Sequence, residues 1–97
     1  MPSLDEIRWK LSTVHERLRA LGVVSLSVFG SAARGTSGSL SDIDFLVTFD
    51  GPATFDRNMG LKFLLQELFG ARIDLVTHRA IRPEMRHSIE RESVRVA

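Results

Sequence analysis

The sequence predicts a small α/β (α+β) domain, a mixed sheet of three to four strands packed against about three helices in a two-layer sandwich. Two observations carry that expectation. Apolar residues switch along the chain between helical spacing and strand alternation, in the order helix, strand, strand, helix, strand, helix. Turn-forming clusters of Gly, Ser, Asp and Pro separate most of these segments. With 97 residues there is material for one core, so residues 1–97 are read as a single domain holding one site at most.

Ser3 followed by Glu6 has the spacing of a capping box and starts the first helix. Leu4, Ile7, Leu11, Val14, Leu18 and Leu21 then form one apolar stripe, and Gly22 stands where a left-handed residue ends a helix. Trp9 lies off the stripe and is expected to cover an edge of the core. Val23 to Phe29 is β-branched and apolar, a first strand stopped by Gly30. From Gly30 to Ser41 the chain is rich in Gly and Ser, a composition for turns and exposed amides. Asp42 to Phe49 is a second strand, with Ile43, Phe45, Val47 and Phe49 on one face and Asp42, Asp44, Leu46 and Thr48 on the other. After the Asp50-Gly51-Pro52 turn, Thr54 caps a second helix running to Phe69, with Gly70 as its stop. Phe55, Phe63 and Phe69 are expected in the core of that helix and not as a platform for stacking bases. Ala71 to His78 is a third strand in which Asp74 interrupts an apolar run. Pro83 opens a last helix carrying Met85 and Ile89, and Val94 to Ala97 is extended. Arg79, Arg82 and Arg86 make a basic stripe there, read as a solvated face paired with Glu84 and Glu90.

Composition narrows the chemistry. Apolar residues are 43% and charged residues 26% of the chain, and 13 Lys+Arg balance 12 Asp+Glu to a net charge of +1. Such a chain is globular, and no direct nucleic-acid binding is expected. Its apolar runs are short and no basic stretch precedes an apolar one at the N-terminus, which predicts no membrane span, no secretory leader and a cytoplasmic location. Without cysteine there is no disulfide, thiolate zinc site or thiol nucleophile, and the three His are scattered. Carboxylates are left as the metal ligands, and they select a hard ion such as magnesium.

Acids on strands need compensation, because a carboxylate among apolar neighbours destabilises the fold unless it is paired or binds a metal. Asp42 and Asp44 project from one face with Cα atoms roughly 6.5 Å apart, so two like charges can grip a cation. Asp74 supplies a third if its strand is a neighbour. The alternative is that Asp42 caps a turn and Asp44 pairs with an arginine, and a lone Asp-x-Asp is too short a motif to decide. The preceding loop adds weight: Gly30 and Ser31 follow a strand directly and open a short helix through Ala32, Ala33 and Arg34, where free amides, a hydroxyl and a guanidinium suit a phosphate. Neither GxxxxGK[ST] nor GxGxxG is present.

The segment GSAARGTSGSLSDIDFLV resembles the Gly-Ser, ten residues, Asp-x-Asp signature of the DNA polymerase β-like nucleotidyltransferase superfamily, with Gly30, Ser31, Asp42 and Asp44 at the matching positions. Asp74 in RIDLVT is similar to the third acid that this superfamily carries on a later strand. Those four fixed residues should meet by chance in roughly one chain in a thousand of this length. Its shortness resembles the minimal nucleotidyltransferases, commonly antitoxins (MNT type), which lack an acceptor domain. The resemblance implies one or two Mg2+ ions held by Asp42, Asp44 and Asp74 as metal and catalytic residues, with Gly30, Ser31 and Arg34 binding the nucleotide. It also implies ATP as substrate, and AMP transfer onto a tyrosine of a cognate HEPN-type toxin held in a hetero-oligomer. A second expectation is a non-enzymatic antitoxin that neutralises its partner by complex formation, against which the retained strand acids count. Transfer to a small molecule is a third, and it needs an acceptor pocket that the sequence does not reveal.

Overall fold

In the computed structural model, which describes residues 3–30 and 42–97, the Ser3 hydroxyl accepts the Glu6 N–H at 3.1 Å, as a capping box requires, and starts helix α1 (Leu4–Ser12). The single N-terminal helix expected from the stripe is two: α2 spans His15–Ala20. The break has a local cause. The Ser12 hydroxyl donates to the Trp9 carbonyl at 2.5 Å and Thr13 Oγ1 to the Lys10 carbonyl at 2.6 Å, an alternative to the helical ladder that bends it, and Val14 enters α2 in a non-helical conformation without a side-chain cap. The stripe survives the jog, since Ile7, Leu11 and Leu18 are buried and Val14 and Leu21 pack against them.

Strand β1 (Val23–Phe29) and strand β2 (Ile43–Phe49) pair antiparallel. Helix α3 (Phe55–Phe69) follows, its N-terminus capped by Thr54 Oγ1 accepting from Arg57 N–H and its end closed by Gly70 at φ 58°. It leads to β3 (Ile73–Thr77), which pairs parallel with β2, and a parallel pair requires a crossover of this kind. A short 3-10 turn (His78–Ala80), helix α4 (Pro83–Glu92) and β4 (Val94–Arg95) complete the chain. The extended C-terminal residues thus become a fourth strand, pairing antiparallel with β1 at Ser27 and Val28. The sheet order is β3-β2-β1-β4, a mixed sheet as expected.

Ile43, Phe45, Val47 and Phe49 of β2 and Leu26 and Val28 of β1 share one core with Ile7, Leu11, Leu61, Leu64 and Leu65. Phe45 has no exposed surface and its ring lies 5.8 Å from that of Phe69. Phe45→Ala should therefore cost about 3–5 kcal/mol, read as a lowered midpoint in a denaturant titration with unchanged slope.

Three aromatic expectations are corrected. Trp9, Phe55 and Phe63 are 67%, 77% and 58% exposed. Trp9 stands two residues from both Ile7 and Leu11, and Phe63 two residues from both Leu61 and Leu65, so each falls on the far side of its helix. Phe55 begins α3, ahead of its buried face. Met85, also 51% exposed, adds nothing to the core. Among the described residues no helix is long and apolar enough to cross a membrane.

Candidate active site

Burial of Ile43 and Phe45 turns the intervening Asp44 to the opposite face of β2. Register then decides its company. Asp44 is the direct partner of Asp74 on β3 and of Phe29 on β1, and neighbouring strands lie about 4.8 Å apart. Two carboxylates from neighbouring strands therefore stand side by side near the start of β2 and of the outer strand β3. Asp42, just before β2, is near enough to act on Asp44 electrostatically. Burial, followed by the charges of Asp74 and Asp42 and the hydrogen bond with Asp74, pushes the Asp44 carboxyl above its ordinary value of 3.8.

The two alternatives raised for these acids separate here. Asp42 has an arginine, Arg72, whose Nε lies 3.8 Å from its carboxylate, but the Arg72 side chain is 88% exposed and such a pair is weak. Among the described residues no ion pair involves Asp44 or Asp74, so no salt bridge offsets their like charges there. A divalent cation removes that repulsion, and the donor set is of the hard, all-oxygen kind that magnesium takes. Among the described residues no three His, Cys, Asp or Glu side chains form a ready-made metal cage. One or two carboxylates suit an ion that completes its shell with water and phosphate oxygens.

Gly30 follows β1 at φ 67°, a left-handed conformation that only glycine adopts freely. A Cβ there would sit 2.6 Å from Asp44 Oδ2. Absence of a side chain is thus what allows the backbone to lie directly against the acid. Gly30, Asp44 and Asp74 are brought to one place, with Asp42 at its margin. Ser31 and Arg34, together with the short helix expected through Ala32 and Ala33, lie outside the described residues.

Of the pairs expected along the last helix one forms: Arg86 Nη1 reaches Glu90 Oε1 at 3.9 Å. The same oxygen lies 2.9 Å from His78 Nε2, a contact the sequence did not suggest, while among the described residues Arg79, Arg82 and Glu84 form no ion pair. Sequence reasoning missed Asn58, Met59 and Lys62, which line a groove together with Asp74. A lone lysine on a helix surface gives no signal until the strand beside it is known.

The family model of the nucleotidyltransferase domain matches residues 10–96. This chain belongs to the nucleotidyltransferase domain family. Within it, the chain is similar to the protein adenylyltransferase MntA of Thermococcus cleftensis, 34% identical over 97 residues covering 99% of this chain and 98% of the relative. A solved minimal nucleotidyltransferase superposes with a TM-score of 0.82 at 34% identity, covering 96% and 95% of the two chains. Two solved assemblies share the nucleotidyltransferase fold at lower identity. One is a toxin-antitoxin with AMP-PNP, at TM-score 0.75 and 21% identity, covering 93% of this chain and 72% of that one. The other is tri-AMPylated Shewanella oneidensis HEPN toxin in complex with MNT antitoxin, at 0.67 and 16%, covering 94% and 71%.

Proposed function

We propose that this chain transfers the adenylyl group of ATP onto a tyrosine hydroxyl of a HEPN-type toxin and so acts as the antitoxin of a cytoplasmic hetero-oligomeric pair. The observation that carries the reading is the side-by-side placement of Asp44 and Asp74 against the bare backbone of Gly30. The family supports a nucleotide substrate, the MntA relative supports a protein acceptor, and the complex containing an AMPylated HEPN toxin supports the kind of partner.

In this mechanism Asp42 and Asp44, with Asp74, would hold Mg2+, which when bound neutralises the triphosphate and its departing pyrophosphate. Gly30, with Ser31 and Arg34 after it, places the phosphates close to the backbone. The acceptor oxygen attacks the α-phosphorus, forming the new P–O bond as the bond to the β-phosphate oxygen breaks. Pyrophosphate leaves with that electron pair. Asp74, the more exposed of the paired acids, takes the proton of the attacking hydroxyl. Most of the rate then comes from positioning and charge compensation.

The test uses ATP labelled at the α-phosphate, Mg2+, and the protein encoded beside this chain. Label is expected on that protein, and Asp44→Asn should reduce it about a thousandfold. Equal labelling by the variant, or label arriving from the γ-phosphate, would remove the proposal.

A further inference from the structure

The acid pair has two flanks. On one lies Gly30 at the end of β1; on the other is the outer edge of β3, the last strand on that side of the described sheet. Phosphates cradled at Gly30 leave the β3 side for the acceptor.

That side is shaped. A groove of about 320 Å³ runs beside β3, lined by the consecutive residues Asp74–Thr77 and, across from them, by Asn58, Met59 and Lys62 of α3. Consecutive strand residues point to opposite faces of a sheet. A groove touching four in a row therefore follows the edge of the strand and does not lie over one face.

Backbone polarity along this edge is also fixed. Ile43 N–H donates to the Arg72 carbonyl at 3.0 Å, so residues 72, 74 and 76 turn their peptide groups toward β2. Leu75 and Thr77 turn theirs outward, into the groove. Among the described residues no strand pairs with this row, and an unpaired row is a template for a further strand.

Resting on the adenylyl-transfer reading, we infer that the outer edge of β3 seats an extended segment of the acceptor protein as an added fifth strand, which leads its tyrosine hydroxyl to Asp74. Backbone pairing at Leu75 and Thr77 supplies the grip. Met59 and the Lys62 stem wall the far side, and the Lys62 ammonium favours a neutral or acidic segment over a basic one.

The experiment compares Michaelis constants for ATP and for the neighbour-encoded protein in the labelling assay, for wild type and three variants. Thr77→Pro removes an outward N–H at a position whose φ of −84° and ψ of 140° accept proline. Met59→Arg fills the groove. Thr77→Ala changes the side chain and keeps the N–H. Thr77→Pro and Met59→Arg should each raise KM for the protein acceptor about tenfold and leave KM for ATP within about twofold, while Thr77→Ala, which keeps the N–H, raises acceptor KM less than Thr77→Pro does. Thermal melts confirm that the variants are folded. Unchanged acceptor KM in folded Thr77→Pro and Met59→Arg overturns the inference. So does a rise confined to KM for ATP, which would make the groove a nucleotide subsite. Loss of a homodimer on gel filtration with acceptor KM unchanged overturns it in favour of a second copy of this chain. Absence of any label from wild type defeats the transfer reading itself, and the inference with it.

Discussion

Asp44→Asn is expected to melt above wild type while losing adenylyl transfer. The carboxylate faces Asp74, feels Asp42 and is partly desolvated, so each influence opposes its charge in the absence of metal. Solvent reaching the pair screens the repulsion. The gain is accordingly set at the low end for relief of a strained functional group, about 0.5–1 kcal/mol. In a domain of this size 1 kcal/mol corresponds to about 4–8 °C.

The pH dependence follows from the same shift. Asp44 binds its proton more tightly folded than unfolded, so its favourable contribution is complete below 3.8 and is lost as pH rises through the higher folded value. Measured in a chelator, the variant and wild type should melt alike in acid, and the variant should pull ahead as pH rises toward neutrality. Melting curves at several pH values check this. A variant that is less stable than wild type at neutral pH would show that Asp44 is satisfied by a partner and is not held against like charge.

Gly30→Ala should damage both stability and activity, by separable routes. An alanine at φ 67° bears the left-handed cost of about 1–2 kcal/mol. Its Cβ would also meet Asp44 Oδ2, and the acid must swing away from its place beside Asp74. A displacement of about 1 Å at a reacting centre can lower the rate about a hundredfold. Gly30→Asn separates the two effects, because asparagine tolerates the left-handed region but still carries a Cβ. Asn should recover part of the stability and none of the activity. Were Gly30→Asn to restore transfer fully, contact with Asp44 would not be what the glycine serves.

Much of this arrangement was legible in the sequence because its signals are local. The Ser3 and Thr54 caps, the Gly70 stop and the alternation along β2 depend on residues within a few positions of one another, and each is found where it was expected. Asp42 and Asp44 could be placed on one face by spacing alone. The pairing of Asp44 with Asp74 could not, because it depends on β2 and β3 being neighbours in parallel register, a long-range choice made by the crossover through α3. The same limit hid the groove beside Lys62. Trp9, Phe55 and Phe63 misled for another reason. Large apolar residues are expected inside, yet helix geometry had already assigned the inner faces to Ile7, Leu11, Leu61 and Leu65. The break after Ser12 was missed because the apolar stripe continues through it, and hydroxyl bonding to the preceding carbonyls leaves no trace in periodicity.

Paramagnetic broadening of backbone NMR signals by Mn2+, a stand-in for Mg2+, tests the central claim most directly, with AMP-PNP present. Amides of Gly30, Asp44 and Asp74 should broaden first and together, and Asp44→Asn should abolish the effect at all three. Broadening that leaves these residues untouched, or that persists undiminished in Asp44→Asn, would contradict the claim that these acids gather a metal-bound nucleotide against the Gly30 turn.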